Sequence, residues 1–508
     1  MQRKPKKLIF LFDGTSNEID LDHPTNVLML ASGISNQSKD GARQLIFYKK
    51  GVGTGESDRS GNLDFTDKTR AFFEEKVGMI SGEGVYNNIL QAYEDLCFNY
   101  EAGDEIYVFG FSRGAYTARS FCGFVNHNAI AKRVKIEKVL SADARYRASK
   151  EEGFKFESMP QRVDRLLNDG MGVCCSIEEQ QALMETTSKS AEHHPVINIK
   201  YLGVWDTVKT ITAGRDDKLH DFHIDKLVPI IKKARHAVAL DEYRKEFDVT
   251  LFDNLEEFNK RHYDSMIDKS LSWEEYRKSP KRPYEEMWYP GNHGSVGGGG
   301  DLRGLSDEAF LWVLEGARDA GLQIDLNRES KIFTLKPNHF VDLDNTSKDD
   351  LLEKLWNWKG RKVDNHVRSG LRGLHEISPS AIRRMAASFL DSTDELDNYT
   401  PKALGEWMDE AKEAIKSYGV HDYTMSLMLN PYIKATEVRT IQGNQYYVYQ
   451  VKSGDDLPKL AGRYLGDRKR AKELIEINRL DITEERRIEI GQLLNLPVNE
   501  RVKEFFKL

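Results

Sequence analysis

Val108-Phe109-Gly110-Phe111-Ser112-Arg113-Gly114-Ala115-Tyr116 joins a short apolar run, Ile106 to Phe109, to a helix-compatible segment, Ala115 to Val125. The order is strand, tight turn, helix, and the turn carries Gly-x-Ser-x-Gly. A serine in such a turn is held in a strained backbone conformation with its hydroxyl at the end of the strand. Glycines flank it because the adjoining strand and helix leave no room for Cβ atoms. Ser112 is therefore the candidate nucleophile. The motif also recurs in ordinary loops, so its weight rests on the flanking strand and helix and on a base and an acid elsewhere in the chain.

Three further apolar runs end in polar loops. Leu8 to Phe12 leads into Asp13-Gly14-Thr15-Ser16-Asn17. Ile197 to Trp205 leads into Asp206-Thr207, and Met287 to Tyr289 into Gly291-Asn292-His293. Helical spacing separates runs: Val85, Ile89, Ala92, Tyr93 and Leu96 form one apolar face before the serine turn. Strands alternating with helices predict a mainly parallel sheet covered on both faces. Function then collects beyond the carboxyl ends of the strands, which puts all four polar loops on one edge.

The chain has 508 residues, 39% hydrophobic and 31% charged, with a net charge of −7. That length exceeds one typical domain. The acidic balance argues against a broad nucleic-acid surface, and no apolar run approaches a membrane span. Leu8 to Phe12, behind the basic Arg3, Lys4, Lys6 and Lys7, is too short for a signal-peptide core. The expected location is therefore cytoplasmic in the producing cell, with only peripheral contact to membranes. Cys97 and Cys122 read as small core residues, and the adjacent Cys174 and Cys175 suit neither a relaxed disulfide nor zinc.

The expected organisation has three parts. Residues 1–300 form the catalytic unit, with a charged helical insertion around 133–194 that shows no clear strand. Residues 301–442 form a largely helical region packed on that unit and placed to act as a lid; Leu311, Trp312, Leu314 and Glu315 open one helix, and Leu351, Leu352, Leu355 and Trp356 belong to another. Residues 443–508 form a small module ordered strand, helix, helix, strand. There Tyr447 to Val451 alternates like a strand, Lys452-Ser453-Gly454-Asp455 reads as a turn, and Asp456 reads as an N-cap ahead of Pro458.

A serine nucleophile needs a base for its proton and an acid to fix the tautomer of the base. Asp206 sits at a strand end, where a carboxylate can accept an imidazole N–H. His293 lies in a glycine-rich loop that can reach across the sheet edge. Ser112, Asp206, His293 is the chain order of an α/β-hydrolase triad. The N–H of Arg113 is the first expected oxyanion donor, and Gly14 or Thr15 the second. Asp13 is too acidic to face an oxyanion, so its carboxylate is expected to accept loop N–H bonds nearby. His236, within Ala234 to Glu242, reads as helical and as a packed or pocket-wall residue. His220 and His223 have metal-like spacing without a compelling carboxylate partner, and no cofactor or metal is required.

These motifs together resemble the α/β-hydrolase domain of the type VI secretion phospholipase effectors. The resemblance rests on Phe12-Asp13-Gly14-Thr15-Ser16-Asn17, Gly51-Val52-Gly53-Thr54, Gly110 to Arg119, Gly203 to Val208, His236 to Glu242 and Pro290 to His293. It implies Ser112, Asp206 and His293 as the triad and phospholipid ester hydrolysis of phospholipase A type. It further implies export by type VI secretion into a target periplasm, without a signal peptide, and an immunity partner in the producer. Gly294 and Ser295 stand where the family usually has Ser-Asp. Tyr449 to Leu457, with Asn478, is similar to a LysM module, implying docking to peptidoglycan or to the secretion apparatus. Two other readings stay open: a metal-dependent phosphoester hydrolase built on Asp13, Asp206 and His293, and a non-catalytic cell-wall-binding or secretion-apparatus protein.

Overall fold

The computed structural model of the chain describes residues 3–14, 23–51, 82–134, 193–194, 197–209, 225–267, 269–300, 302–325, parts of 332–343, 366–390, 399–418, 438–441, 444–450, 456–478 and 493–506. Its strands are β1 (Lys7–Phe12), β2 (Gln44–Lys49), β3 (Glu105–Phe111), β4 (Ile130–Ala131), β5 (His193–His194), β6 (Ile199–Trp205), β7 (Ala234–Ala239) and β8 (Tyr284–Tyr289). Six of them form one sheet in the order β2-β1-β3-β6-β7-β8. Every neighbouring pair is parallel. β1, Lys-Leu-Ile-Phe-Leu-Phe, is buried throughout, as a strand covered on both faces requires.

Helices cover both faces. α1 (Asn26–Gly33), α2 (Gly82–Asn99), α3 (Arg113–Asn128), α4 (His293–Gly297) and α5 (Gly304–Asp319) surround the sheet. The predicted apolar face of α2, from Val85 to Leu96, packs with Phe121 and Phe124 of α3 against Phe10, Phe12 and Val108. On the other face, Val27 and Leu30 of α1 and Phe310 and Val313 of α5 cover Ile9, Phe109, Tyr201 and Trp205. Because the strands run in parallel, Asp13, Ser112, Asp206 and His293 all follow strand ends on one edge. The strand order reverses between β1 and β3, the strands that lead into Asp13 and Ser112.

Three readings change. The segment holding His236 is β7, not a helix. Alanines favour helix locally, but the strand is buried along its whole length between β6 and β8. Its two polar residues each find a carboxylate directly across on β8, Arg235 opposite Glu285 and His236 opposite Glu286. β2 was not anticipated. The insertion does contain a short strand, since β5 pairs with β4; residues 135–192, with Cys174 and Cys175, lie outside the described residues. So do His220, His223, the predicted helix around Leu351 to Trp356, and the Lys452 to Asp455 turn.

Beyond α5, described residues within 366–390 and 399–411 contribute to the core at the β7–β8 edge. Leu374, Ile377, Ile382 and Met385 pack on Val238, Leu240 and Trp288. Ile377 forms a parallel bridge with Trp288.

The C-terminal unit adds β9 (Val438–Ile441) before the predicted start, so its sheet has three antiparallel strands with β10 (Asn444–Gln450) central and β11 (Leu493–Pro497) on its other side. Asp456 caps as expected, accepting the Lys459 N–H at 2.6 Å, with Pro458 in the first turn. Asn478 ties helix to strand: its Oδ1 accepts the Asn495 N–H at 2.6 Å and its amide donates to Leu474 O and Asn495 O.

The serine turn leaves no space at its glycines. A Cβ on Gly114 would stand 2.2 Å from Phe12 O and 2.4 Å from Asp13 O. Both are backbone atoms that cannot swing aside. Gly114→Ala should therefore lose about 3 kcal/mol, the upper end for overpacking, read from urea unfolding. Wild-type stability in this variant would show that the turn is not packed against β1.

Candidate active site

Ser112 caps α3 with φ 58° and ψ −125°. A non-glycine residue there is strained, and such strain gathers at functional sites. Three non-glycine residues have positive φ among the described residues: Ser112, Ala129 and Asp206, the last at 42°. The two turns are tied together. The Ser112 N–H donates to Trp205 O at 3.0 Å, and the Val208 N–H donates to Ser112 O at 3.4 Å. The serine turn thus straddles the turn that bears Asp206.

Asp206 and His293 meet at 2.6 Å between Oδ2 and Nδ1. An ionised carboxylate only accepts, so Nδ1 carries the proton and Nε2 keeps its lone pair. The imidazole stacks on Phe111, the residue before Ser112, at 4.7 Å, and Phe247 covers it at 4.9 Å. No hydrogen bond joins the Ser112 hydroxyl to the imidazole among the described residues. Catalytic hydrogen bonds are often long before substrate binds.

The carboxylate of Asp206 is fully buried. Its Oδ1 accepts Ala239 N–H at 2.9 Å and Arg368 Nη1 at 2.6 Å; its Oδ2 also accepts Arg368 Nη2 at 2.9 Å. Burial alone would raise its pKa, but the Arg368 guanidinium and then His293 outweigh burial and hold it well below the usual carboxylate range. Burial also pushes the His293 imidazole below 6.5, with Asp206 pulling the other way. At neutral pH the pair is a carboxylate and a neutral base.

The loop carrying His293 is held by two carboxylates that follow β7. Glu242 Oε2 accepts the His293 N–H at 3.1 Å, and Asp241 Oδ2 accepts the Gly291 N–H at 2.7 Å. Tyr399 donates its hydroxyl to the same Asp241 oxygen at 2.7 Å. Burial still pushes Asp241 up to about 6. Glu242 in turn pairs with Arg244, whose guanidinium lies over Phe247 at 4.1 Å.

His236 is buried behind the Asp206 turn. The Thr207 N–H donates to its Nε2 at 3.1 Å, which places its proton on Nδ1, facing Glu286 Oε1 at 2.8 Å. Arg372 holds the other Glu286 oxygen. His236 thus anchors the residue after Asp206. Asp13 accepts the Gly14 N–H at 2.7 Å, as expected, together with the hydroxyls of Thr25 at 2.8 Å and Tyr48 at 2.6 Å. That engages the Gly14 N–H, so it is not free to serve an oxyanion in this arrangement. Thr15 lies outside the described residues. Arg113 opens α3, where the first N–H groups have no intrahelical acceptor; burial lowers its guanidinium to about 10. No group of three or more His, Cys, Asp or Glu side chains arranged to hold a metal occurs among the described residues.

Arg368, Glu242, Asp241 and Glu286 are residues that sequence reasoning did not assign to the site. Two acids directly before the apolar run of β8, and the Asp-Glu pair ending the His236 motif, were readable signals of buried charge. Arg368 lies in a stretch with no periodicity and carried none.

A family model described as "T6SS, Phospholipase effector Tle1-like, catalytic domain" matches residues 6–316, and a LysM domain model matches 449–497. An uncharacterized protein of Saccharomyces cerevisiae, YEL023C, is 27% identical over 248 residues, 49% of this chain and 33% of that protein. The chain thus spans about a third of the length of that curated relative. A solved structure of an uncharacterized protein from Pseudomonas aeruginosa shares 15% identity at a TM-score of 0.33, covering 84% of this chain and 60% of that one. A structure of the Tle1 effector bound to the VgrG spike of the type 6 secretion system shares 16% at 0.26, covering 58% and 51%. The family match spans well over half of the chain, and the protein therefore belongs to the Tle1-like phospholipase effectors of type VI secretion, with a LysM domain towards its C-terminus.

Proposed function

We propose that the protein is a serine phospholipase that releases fatty acid from phospholipids by an acyl-enzyme mechanism. The observation that carries this reading is the 2.6 Å Asp206–His293 pair stacked beside the strained serine turn. The family match supplies the substrate class. Ser112 Oγ attacks the ester carbonyl while Nε2 of His293 takes its proton. Asp206 holds the tautomer and balances the imidazolium. The Arg113 N–H faces the developing oxyanion, a contribution of about 3–4 kcal/mol to barrier lowering. His293 then protonates the departing alcohol, the lysophospholipid. Water, deprotonated by the same imidazole, releases the fatty acid and restores Ser112. The phospholipase A subtype, the triad roles, delivery into a target periplasm and an immunity partner in the producer all belong to this reading. The LysM domain serves as the docking element, on peptidoglycan. No helix among the described residues is long and apolar enough to cross a membrane, which fits a protein that meets its lipid from the surface.

Ser112→Ala should reduce fatty-acid release from phosphatidylethanolamine vesicles by about a million-fold and abolish labelling by a fluorophosphonate. Equal release by both proteins would remove the serine mechanism. Asp206→Asn should reduce turnover about ten-thousandfold and, by leaving the Arg368 charge buried without its carboxylate, cost about 3–5 kcal/mol in urea unfolding. The acid limb of kcat/KM should fall below pH 6.5, because burial favours neutral His293 and the base must be neutral to accept a proton; a limb above 6.5 contradicts the assignment. A chain ending at residue 437 should lose cosedimentation with peptidoglycan while keeping ester hydrolysis.

A further inference from the structure

We propose that Arg368 is a fourth member of the site, a positioning residue that locks the orientation of Asp206 and tempers the negative field Asp206 casts on His293. The inference rests on the triad reading above. Arg368 comes from beyond the 6–316 family match, from the segment that packs on β7 and β8. Its side chain is completely buried. Both terminal nitrogens engage Asp206, at 2.6 and 2.9 Å, and each also donates to a backbone carbonyl: Nη1 to Ala239 at 3.0 Å and Nη2 to Phe247. A guanidinium forked onto a carboxylate fixes both in one plane.

The four donors on Asp206 leave its carboxylate no rotational freedom: two N–H groups of Arg368, the Ala239 N–H and the His293 Nδ1–H. The only orientation that serves all four points Oδ2 at the imidazole. The electrostatic consequence is separate. A lone buried carboxylate beside an imidazole strongly favours the imidazolium. Burial already disfavours the cation at His293, and a guanidinium matched to the Asp206 charge weakens the opposing pull of that carboxylate. The other charges facing His293 act in opposite directions, Glu242 at its backbone N–H favouring the cation and Arg244, paired to Glu242, opposing it. Phe111 of β3 and Phe247 contribute rings without charge. His236, behind the turn, is held neutral by its acceptor role toward Thr207. Arg368 is thus the one guanidinium hydrogen-bonded to Asp206 among the described residues, and its charge also acts on Glu242.

The test compares the pH dependence of kcat/KM on a soluble short-chain p-nitrophenyl ester for full-length wild type, Arg368→Met, Arg368→Gln and Arg368→Lys. The neutral variants should move the acid limb upward by about one pH unit and lower the plateau about a hundredfold through loss of orientation. Arg368→Lys keeps the charge and loses the fork, so its limb should stay at the wild-type position while its plateau falls. Gln retains an N–H for Asp206 and gives the same limb shift if Met does not fold, which circular dichroism checks. A merely structural role would lower the plateau without moving the limb, and an unmoved limb in a folded neutral variant overturns the proposal. Ester hydrolysis that persists in Ser112→Ala would instead remove the triad reading beneath it, whatever the Arg368 variants show.

Discussion

A single fully buried carboxylate, Asp206, gathers four separate parts of the chain. It follows β6, accepts an N–H from Ala239, the last residue of β7, receives the imidazole presented after β8, and is gripped by Arg368 from a segment far downstream. A carboxylate without water is costly unless it is both paired and fully hydrogen-bonded. A neutral imidazole supplies one donor and no charge. The guanidinium supplies the charge and two donors, and the backbone supplies the last. Each partner is therefore needed for the others to be stable where they are, and that edge of the sheet is fixed by the mutual dependence.

The same device recurs one layer out. Glu286 of β8 holds His236 of β7, and His236 holds the backbone of Thr207. Asp241 and Glu242 hold the backbone of the His293 loop. The His293 loop is thus steadied by carboxylates that follow β7, the Asp206 turn by a histidine that a carboxylate holds, and the Ser112 turn by backbone bonds to the Asp206 turn. Such an arrangement can support positive φ at both Ser112 and Asp206. Strained turns persist only where the surroundings over-determine them, and here the surroundings are buried charge pairs, which tolerate little displacement.

Much of this was legible in the order of residues. The candidate site turns announce themselves by an apolar run followed by a polar side chain, as after Leu8–Phe12, Ile106–Phe109, Ile197–Trp205 and Met287–Tyr289, with a glycine in the turn in all but the third. The Ser112 turn and the Asp206–His293 pairing followed from that pattern and from chain order. β7 did not, because Ala-Arg-His-Ala-Val-Ala mixes alanine with charge and has neither the apolar run nor the alternation of a half-exposed strand. Its charges are neutralised across the ladder by Glu285 and Glu286, a long-range compensation that local periodicity cannot display. Arg368 was illegible for the same reason: its partner lies 162 residues away, and a lone arginine in an irregular segment reads as solvated surface.

The departure of Gly294 and Ser295 from the Ser-Asp of the family pattern bears on how the His293 loop holds its shape. A missing carboxylate next to His293 would matter if the loop had no other anionic support. It has two, Asp241 at Gly291 and Glu242 at His293, both accepting backbone N–H groups. Ser295 closes the turn differently, donating its hydroxyl to Leu343 O at 2.8 Å while its N–H meets the Asn292 cap at 3.1 Å. Gly297 presses on the Phe111 ring so closely that a Cβ there would stand 1.8 Å from it. That contact presses α4, which begins at His293, onto the residue before Ser112. The loop therefore keeps the imidazole against the serine turn by backbone anchoring and close packing, with no need of a carboxylate at position 295.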